Sequence, residues 1–423
     1  MTLSNIISIT KRKLYHSAEF FTTFLRWSLI AAIVGLIGGI IGSAFHISVD
    51  YCTEIRMEHN FFVLLLPLGG IAIVRLYKLC NMSKHNGTDN IIESIREQKK
   101  IPFRTAPLIF IATVITHLFG GSAGREGAAL QLGGSIGFKV GEALHLDKKD
   151  RILVVMCGMS AFFSALFGTP LTAAIFAIEV TSVGVMYYAG LIPCIVSALT
   201  AFGVSTLFGV EGMNFYYICA PTIDFVSVTS VILISIACAV TSIIFCMLLH
   251  HGSAYAKKLI KSEYLRIVIG SVLIIILTYI FGNDYNGAGT HIITDAANGT
   301  VKPEAFILKI IFTVITIAVG FKGGEIVPTF FIGATLGCFL AQLTGMDAGF
   351  GAAVGMTGMF CGMLNCPIAS LILSVEMFGD NDIILFAITC AISYMLSGYY
   401  GLYHSQKIMY SKTRTEFINK DAR

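Results

Sequence analysis

Long stretches without a charged residue divide this sequence, and each of them is strongly apolar. Seven reach or exceed the roughly 18–20 residues that cross a bilayer as an α-helix: 27–49, 105–124, 152–178, 180–210, 225–256, 348–375 and 383–406. Four further stretches add to them: 59–74, 267–283, 310–321 and 326–346. Their apolar positions run continuously instead of alternating in segments of about ten residues, so the pattern predicts membrane helices rather than barrel strands.

The composition points to the same class of protein. Only 13% of the 423 residues are charged, against roughly 25% in a soluble domain. Hydrophobic residues make up 55% of the chain, and its mean hydropathy is +0.79. A soluble protein of this size would need many more ionised side chains to cover its surface. The sequence therefore predicts an all-α, polytopic membrane protein.

Basic residues flank the apolar region at both ends: Lys11, Arg12 and Lys13 before it, and Lys407, Lys412, Arg414 and Lys420 after it. By the positive-inside rule we expect both termini in the cytoplasm and the protein in the cell membrane. We expect no cleavable signal peptide, because no small-residue cleavage site follows a leading apolar run. The predicted division is a cytoplasmic segment 1–25, a transmembrane domain 26–408 and a cytoplasmic tail 409–423.

Neither a cofactor nor a metal is expected, and the small net charge of +4 does not indicate a nucleic-acid partner. The eleven cysteines include no Cys-x-x-Cys pair, and most of them lie in apolar stretches, where a small buried residue is their ordinary role. The ten histidines are scattered, and the adjacent pair at 250–251 suits a membrane surface better than a metal site.

Two blocks of the sequence recur about 200 residues later. Residues 124–137 align with 324–337 at a shift of 200, with three glycines in register, and residues 158–179 align with 355–376 at a shift of 197. Two blocks in the same order predict two repeats, 26–215 and 225–408. Such duplication is typical of transporters, whose binding site lies between the repeats near the membrane midplane. The sequence leaves open whether the repeats are inverted.

The first pair of blocks predicts two helices that begin inside the membrane. Glycines and a serine at 120–124 precede one helical pattern, and the Lys-Gly-Gly-Glu stretch at 322–325, with Pro328 in the first turn, precedes the other. Unpaired amides and the positive dipole end at such helix starts attract anions. We therefore expect an anion as the cargo, although glycine-rich breaks also serve close helix packing.

Glu126 strengthens the anion interpretation. A carboxylate between two uncharged stretches is costly in the membrane and is functional by default. Ionised, it would occupy the amide-lined site in place of the anion; protonated, it would leave that site, so its titration would link proton and anion occupancy. The alternative is that Arg125 merely neutralises it as a local ion pair.

At these residues the sequence resembles the CLC family of anion channels and proton-coupled antiporters, over about residues 27–408. The motifs that carry the resemblance are Gly-Arg-Glu-Gly at 124–127, Phe-Gly-Thr-Pro at 167–170 with Glu179, Gly-Gly-Glu-Ile-Val-Pro at 323–328, and Gly-Leu-Tyr at 401–403. The resemblance implies an inverted repeat of tilted and broken helices, and a homodimer with one anion pathway per subunit.

The resemblance also assigns roles to residues. Glu126 would be the gating glutamate, and the Tyr403 hydroxyl would donate to the central anion, although an aromatic at the membrane interface is the alternative role of Tyr403. Glu325 lies outside the chloride pattern, and we predict that it is a second residue of the proton pathway; a carboxylate that interacts with the dipole at a helix start is its alternative role. The implied anion-binding residues are Asn86, Gly87, Gly124, Arg125, Gly127, Ala128, Ile326, Val327 and Tyr403.

Departures from the chloride pattern of the family favour its fluoride/proton antiporter branch. Asn86 stands where chloride proteins carry a serine, Glu325 and Ile326 replace isoleucine and phenylalanine, and Val180 replaces the internal proton glutamate. Fluoride is small and strongly hydrated, and the amide of Asn86 offers it more donors than a hydroxyl does. The resemblance thus implies fluoride export in exchange for protons. A chloride channel or chloride/proton antiporter of the same family is the alternative, and Val180 also admits a passive channel.

An intramembrane enzyme is a different class of hypothesis, and the sequence argues against it. An enzyme using Glu126 and His117 would need a nucleophile or metal ligands at the same depth, but no His-Glu-x-x-His is present. Gly-x-Ser-x-Gly occurs at Ser122 and Ser135, without the preceding strand that a nucleophile elbow requires. We therefore expect that the protein is not an enzyme.

Overall fold

The computed structural model describes residues 3–83, 87–213, 215 and 221–422, with side chains from residue 18 onward. These residues form sixteen α-helices: α1 Leu3–Glu58, α2 Leu66–Leu79, α3 Thr88–Glu97, α4 Thr105–Leu118, α5 Glu126–Ala143, α6 Lys148–Phe167, α7 Pro170–Glu179, α8 Leu191–Leu207, α9 Phe225–Leu259, α10 Glu263–Phe281, α11 Thr290–Ala297, α12 Ala305–Val319, α13 Ile326–Thr344, α14 Ala348–Leu364, α15 Pro367–Phe378 and α16 Ile383–Leu396.

Seven helical segments of the described chain are long and apolar enough to cross a membrane: Ala18–Glu58, Asn60–Leu79, Lys148–Phe167, Tyr188–Leu207, Phe225–Leu259, Glu263–Phe281 and Ile326–Thr344. Six further apolar helices have 10–17 residues and are too short to cross a full bilayer unaided. The predicted helical, polytopic fold is therefore confirmed, and it combines complete spans with short helices.

Two apolar stretches that predicted single spans are each divided into two helices. The stretch 152–178 contains the end of α6, a turn at Gly168 with φ +72°, and the start of α7 at Pro170. The stretch 348–375 repeats this arrangement with Asn365, φ +56°, and Pro367. Proline lacks an amide hydrogen and is suited to a first helical turn, so the helix ends before it and restarts there. The prediction of single spans was wrong, because a glycine or asparagine followed by a proline hardly changes the hydropathy of a long apolar stretch.

Three short strands supplement the helices in the described chain. They are β1 Ser182–Val183, β2 Lys407–Tyr410 and β3 Phe417–Asp421, in the order β1-β2-β3, with β1 parallel to β2 and β3 antiparallel to it. Much of the segment predicted as a tail, 409–423, thus belongs to a small sheet whose first strand, β1, follows α7. At the other end, α1 continues without a break through the predicted boundary at residue 25.

Equivalent glycines pack the helices of each repeat together. A Cβ atom at Gly133 in α5 would lie 2.2 Å from the Gly158 carbonyl oxygen in α6, and one at Gly333 in α13 would lie 2.4 Å from that of Gly355 in α14. The backbones approach so closely that no larger residue fits. Glycine-mediated packing, the alternative weighed for the glycine-rich segments, thus occurs within each repeat, beside the helix starts described next.

Candidate functional site

The starts of α5 and α13 meet through a short antiparallel bridge. The Gly124 amide donates to the Gly324 carbonyl at 2.6 Å, and the Gly324 amide donates to the Gly124 carbonyl at 2.7 Å. These glycines are equivalent in the sequence repeat, so the bridge relates the two halves by a local two-fold rotation. The two helices begin two residues later, at Glu126 and Ile326. The structure therefore brings together the two helix starts that the sequence predicted.

Only glycine fits at this bridge. A Cβ atom at Gly324 would lie 2.4 Å from the Gly127 nitrogen, and a Cβ at Gly323 would lie 2.5 Å from the Cβ of Ala123. A Cβ at Gly124 would lie 2.6 Å from Oε2 of Glu126. The Gly127 nitrogen and the Ala123 Cβ are held by the packed backbone and cannot move aside easily. Gly124 and Gly324 thus allow the close approach that places the Glu126 carboxylate.

The carboxylate of Glu126 lies among backbone amides. Glu126 is 1% exposed, and its Oε2 accepts a hydrogen bond from the Arg125 amide at 2.9 Å. The amide of Val327, in the first turn of α13, also interacts with this carboxylate. Its Oε1 has no hydrogen-bond partner in the described part of the chain. A negative group at this position lies where the two helix starts meet and accepts a hydrogen bond from a backbone amide, as expected of a site where an anion and a carboxylate can replace each other.

The guanidinium of Arg125 has another main partner. It pairs with Asp50 of α1, which also lies 2.8 Å from His46 Nε2, whereas Nε of Arg125 is 3.9 Å from Oε1 of Glu126. Arg125 therefore neutralises Asp50 more directly than Glu126. The backbone amide of Arg125, rather than its side chain, contributes to the amide-lined site.

Two polar side chains that sequence reasoning missed join α3 to α5. The Thr88 hydroxyl donates to the Gly127 carbonyl at 3.2 Å, and Nε2 of Gln131 reaches the same carbonyl at 3.2 Å and the Thr88 hydroxyl at 3.3 Å. The signal available in the sequence was Gln131, a single side-chain amide one turn after Gly127 in an apolar helix.

Two further predicted anion-binding residues precede α3. Asn86 lies outside the described residues, and Gly87, with φ +64°, directly precedes the helix.

Glu325 lies across the bridge from Gly127. Its Oε2 would be 3.2 Å from a Cβ atom at Gly127, and the residue directly precedes α13. The following residues, Ile326 and Val327, are fully buried in the first turn, as is Ala128 in α5. Glu325 and Glu126 therefore flank the same pair of helix starts without sharing a hydrogen bond in the described structure.

Tyr403 is buried, on a segment that contacts α3. It is 3% exposed, and its hydroxyl has no hydrogen-bond partner among the described residues. The segment that carries it is fixed to α3, because the Asp89 carboxylate accepts from the Ser405 amide at 2.9 Å and from the Ser405 hydroxyl at 2.7 Å. The Tyr403 hydroxyl is thus a hydrogen-bond donor without a partner among the described residues, on a segment whose position is fixed.

A polar cavity of about 1050 Å³ links these groups. Its lining includes Thr88, Gln131, Glu325 and Tyr403, together with Gly87. The cavity is large enough for many water molecules, which could hydrate an anion or carry protons.

The outer lining of this cavity includes Glu97, at the end of α3. The Lys99 ammonium, and with it the Arg96 guanidinium, lowers the pKa of Glu97 to about 2. This carboxylate therefore stays ionised near neutral pH and cannot carry a proton there.

A second pair of equivalent residues connects the repeats away from the bridge. Glu179 accepts hydrogen bonds from the first amides of α15, and Glu376 accepts from the first amides of α7. The donors are Ile368 at 3.2 Å and Ala369 at 2.8 Å for Glu179, and Leu171 at 2.8 Å and Thr172 at 2.7 Å for Glu376. Each glutamate thus caps the helix of the other repeat.

Comparison with known proteins agrees with this geometry. The family model described as the voltage gated chloride channel matches residues 68–398. The chain belongs to this CLC family. Its predicted place in the family and its helical membrane fold are therefore confirmed.

Individual relatives refine the picture. The chain is 36% identical over 395 residues to a chloride/fluoride channel protein of Pseudomonas syringae pv. tomato, covering 92% of this chain and 87% of that protein. A solved CLC-type fluoride/proton antiporter superposes with a TM-score of 0.87 at 30% identity, covering 90% of this chain and 98% of that one. A cyanobacterial Cl⁻/H⁺ antiporter shares the fold at a TM-score of 0.76 and 17% identity, over 88% and 94% of the two chains.

Proposed function

We propose that this CLC protein is a secondary active transporter that exchanges fluoride for protons and thereby exports fluoride. Two similarities support the proposal: the relative named as a chloride/fluoride channel protein and the solved CLC-type fluoride/proton antiporter. The sequence adds Asn86 and Glu325 at positions where it departs from the chloride pattern. Transport accounts for the buried Glu126 without any enzymatic reaction.

The observation that carries the proposal is the buried carboxylate of Glu126 where the helix starts of both repeats meet. Ionised Glu126 accepts from the Arg125 amide and would occupy the site that an anion takes. Protonation removes its charge, weakens that hydrogen bond and lets an anion replace it. Anion entry and proton uptake at one site are thereby linked, which is the requirement for exchange.

Glu325 supplies a route for the proton on the cavity side. It lies next to Gly127, directly follows Gly324 of the bridge on its own repeat, and lines the cavity that also reaches Tyr403. We propose that a proton passes between Glu126 and the cavity through Glu325, which would replace the carboxylate absent at Val180. The free hydroxyl of Tyr403 would donate to the anion when it reaches this side.

Chloride is the alternative cargo. The H⁺/Cl⁻ exchange transporter ClcA of Vibrio campbellii is 24% identical to this chain over 393 residues. The relative from Pseudomonas syringae carries both anions in its name. A chloride channel or chloride/proton antiporter would use the same bridge and the same Glu126.

We further propose the assembly and placement that the family resemblance implies: a homodimer in the cell membrane with both termini in the cytoplasm. Segments 1–25 and 409–423 would flank a transmembrane domain of two repeats. Cross-linking in native membranes measures the oligomeric state, and protease protection of terminal tags measures the orientation.

Flux from liposomes that contain the purified protein tests the proposal. A fluoride gradient should drive proton movement against a proton gradient, and chloride should move much more slowly. Equal fluoride and chloride rates would favour the chloride alternative. Fluoride flux that no proton gradient can drive uphill would indicate a passive channel instead.

A further inference from the structure

Arg56 is buried near the end of α1 without an acceptor. It is 7% exposed, and its Nη1 atom has no hydrogen-bond partner among the described residues. No carboxylate of the described chain forms an ion pair with it either. Removing a guanidinium from water costs several kcal/mol in general unless acceptors replace the water. An arginine in this position calls for a compensating negative group.

Lys309 places a second positive charge beside it. This α12 residue is fully buried, and its Nζ donates to the carbonyls of Tyr285 at 3.2 Å and Gly287 at 2.7 Å. Arg56 packs against the same glycine, because a Cβ atom at Gly287 would lie 2.6 Å from Nη1. Two buried cations therefore flank Gly287, whose φ of +60° also favours glycine.

The neighbouring carboxylates are committed to other cations. Asp50 pairs with Arg125 and with His46, and Asp284 pairs with Lys302 at 2.8 Å. Arg56 is itself the charged group that acts on Lys309, and it has the same sign. Within the described residues the two cations thus have no compensating charge, which in a membrane protein indicates a functional site.

The site is adjacent to the Glu126 region but distinct from it. Arg56 also contacts the turn after α4, since a Cβ atom at Gly120 would lie 3.4 Å from its Cδ and 3.8 Å from its Nη1. Neither Arg56 nor Lys309 lines the large polar cavity. His117 contributes no donor while neutral, because Nδ1 faces the Thr113 carbonyl at 3.0 Å and must carry the proton.

We propose that Arg56 and Lys309 hold a resident small inorganic anion beside Gly287, separate from the amide-lined site at Glu126. A monatomic halide suits the site because one edge of the guanidinium, that of Nη1, lacks a partner among the described residues and lies close to the glycines at 120 and 287. A polyatomic anion would present more oxygens than this edge can satisfy. The proposal does not rest on fluoride/proton exchange, since a resident anion could support any CLC protein.

Thermal unfolding of the purified protein tests the proposal, with sodium fluoride or chloride compared against sodium gluconate at constant ionic strength. An anion that binds only the folded protein raises Tm with its concentration. The transport site also contributes to this rise, so we expect Arg56→Met to lose about half of it. In gluconate, Arg56→Met should unfold at a higher temperature than the wild type, because it buries no unpaired charge.

Lys148→Met is the matched control, because it removes a positive charge from an exposed side chain at the start of α6, away from Arg56. This variant should keep the full halide-dependent rise in Tm. The same rise in Arg56→Met as in the wild type would overturn the proposal. Crystals of the wild type soaked in bromide give a second test, independent of any variant: anomalous density in contact with Nη1 of Arg56 is expected, and its absence there would also overturn the proposal. Failure of fluoride exchange is measured separately by liposome flux.

Discussion

At the scale of single residues, the two glutamates near the bridge have different surroundings. Glu126 accepts a hydrogen bond from the Arg125 amide at the helix start, whereas Glu325 lines the water-accessible cavity. The first environment suits a group that competes with an anion, and the second suits a group that exchanges protons with water. This difference leads to separate predictions for the two residues.

Glu126→Gln should abolish coupled proton movement, because an amide cannot be protonated or ionised in this pH range. Anion turnover should slow or continue without protons. The measurement is proton uptake driven by a fluoride gradient in proteoliposomes. Proton coupling equal to that of the wild type would remove Glu126 from the mechanism.

Glu325→Gln should retain the fold and fluoride binding but impair exchange, because the proton route to the cavity is interrupted. Fluoride binding by calorimetry and exchange in liposomes separate the two properties. Glu416→Gln, at an exposed position near β3, is the control and should exchange normally. Wild-type exchange in Glu325→Gln would reduce Glu325 to a carboxylate that stabilises the start of α13, a contribution of about 0.3–1 kcal/mol.

Selectivity provides the third prediction at this scale. Asn86→Ser should weaken the preference for fluoride over chloride by about 1–2 kcal/mol, the size of one altered hydrogen bond to a charge. Tyr403→Phe should slow both anions, because its hydroxyl would serve whichever anion is bound. Flux ratios measured on the same liposome preparation test both variants, and an unchanged ratio in Asn86→Ser would exclude Asn86 from selectivity.

The sequence predicted some of these residues and not others. Glu126 and Glu325 were identifiable because a charge in an apolar stretch is conspicuous. Thr88 and Gln131 were not, because a neutral polar residue acquires its meaning only when another helix brings a carbonyl to it. Arg56 lies at the end of an apolar stretch, where the sequence alone indicates an ordinary interfacial charge; its burial and missing acceptor emerge only from the packing.

At the scale of helices, the positions at which helices end and restart determine which backbone amides lie at the candidate site. Glycine runs predicted the starts of α5 and α13, and the structure places them in contact. The breaks before α7 and α15 escaped prediction, because one glycine or asparagine followed by proline leaves the hydropathy of a long stretch almost unchanged. The number of spans was therefore the least predictable property of the fold.

Gly324→Ala tests the bridge. Its Cβ would lie 2.4 Å from the Gly127 nitrogen, so the two helix starts must separate. We expect a loss of about 1–3 kcal/mol in stability, as for overpacked cores, and a loss of exchange. Gly203→Ala in α8 is the control, since no atom lies within 4 Å of its Cβ position. Comparable exchange in the two variants would contradict a requirement for the close approach.

At the scale of the whole molecule, contacts between equivalent residues join the two repeats. Gly124 pairs with Gly324. Glu179 caps α15, which carries Glu376, and Glu376 caps α7, which carries Glu179. A two-fold relation between the repeats makes each contact occur as a reciprocal pair. The sequence revealed the equivalence through its constant shifts but could not show that equivalent residues touch.

Glu179→Ala and Glu376→Ala should therefore destabilise the protein similarly, because each leaves two amides at a helix start without an acceptor. The expected cost is about 1–3 kcal/mol for each variant. Unfolding in detergent at increasing temperature measures it, with Glu304→Ala as the control, an exposed glutamate whose side chain makes no capping bond to α12. A large effect of only one substitution would argue against reciprocal capping.

The reciprocal caps also bear on how the chain is made. The amide of Leu171 is capped by a carboxylate that lies 205 residues later. At the usual rate of about 5–20 residues per second, a ribosome needs about 10–40 s to synthesise that interval. During this time the newly inserted α7 exposes bare amides in a lipid environment that cannot satisfy them. Nascent chains stalled between the two halves should therefore be substrates for membrane chaperones and quality-control proteases.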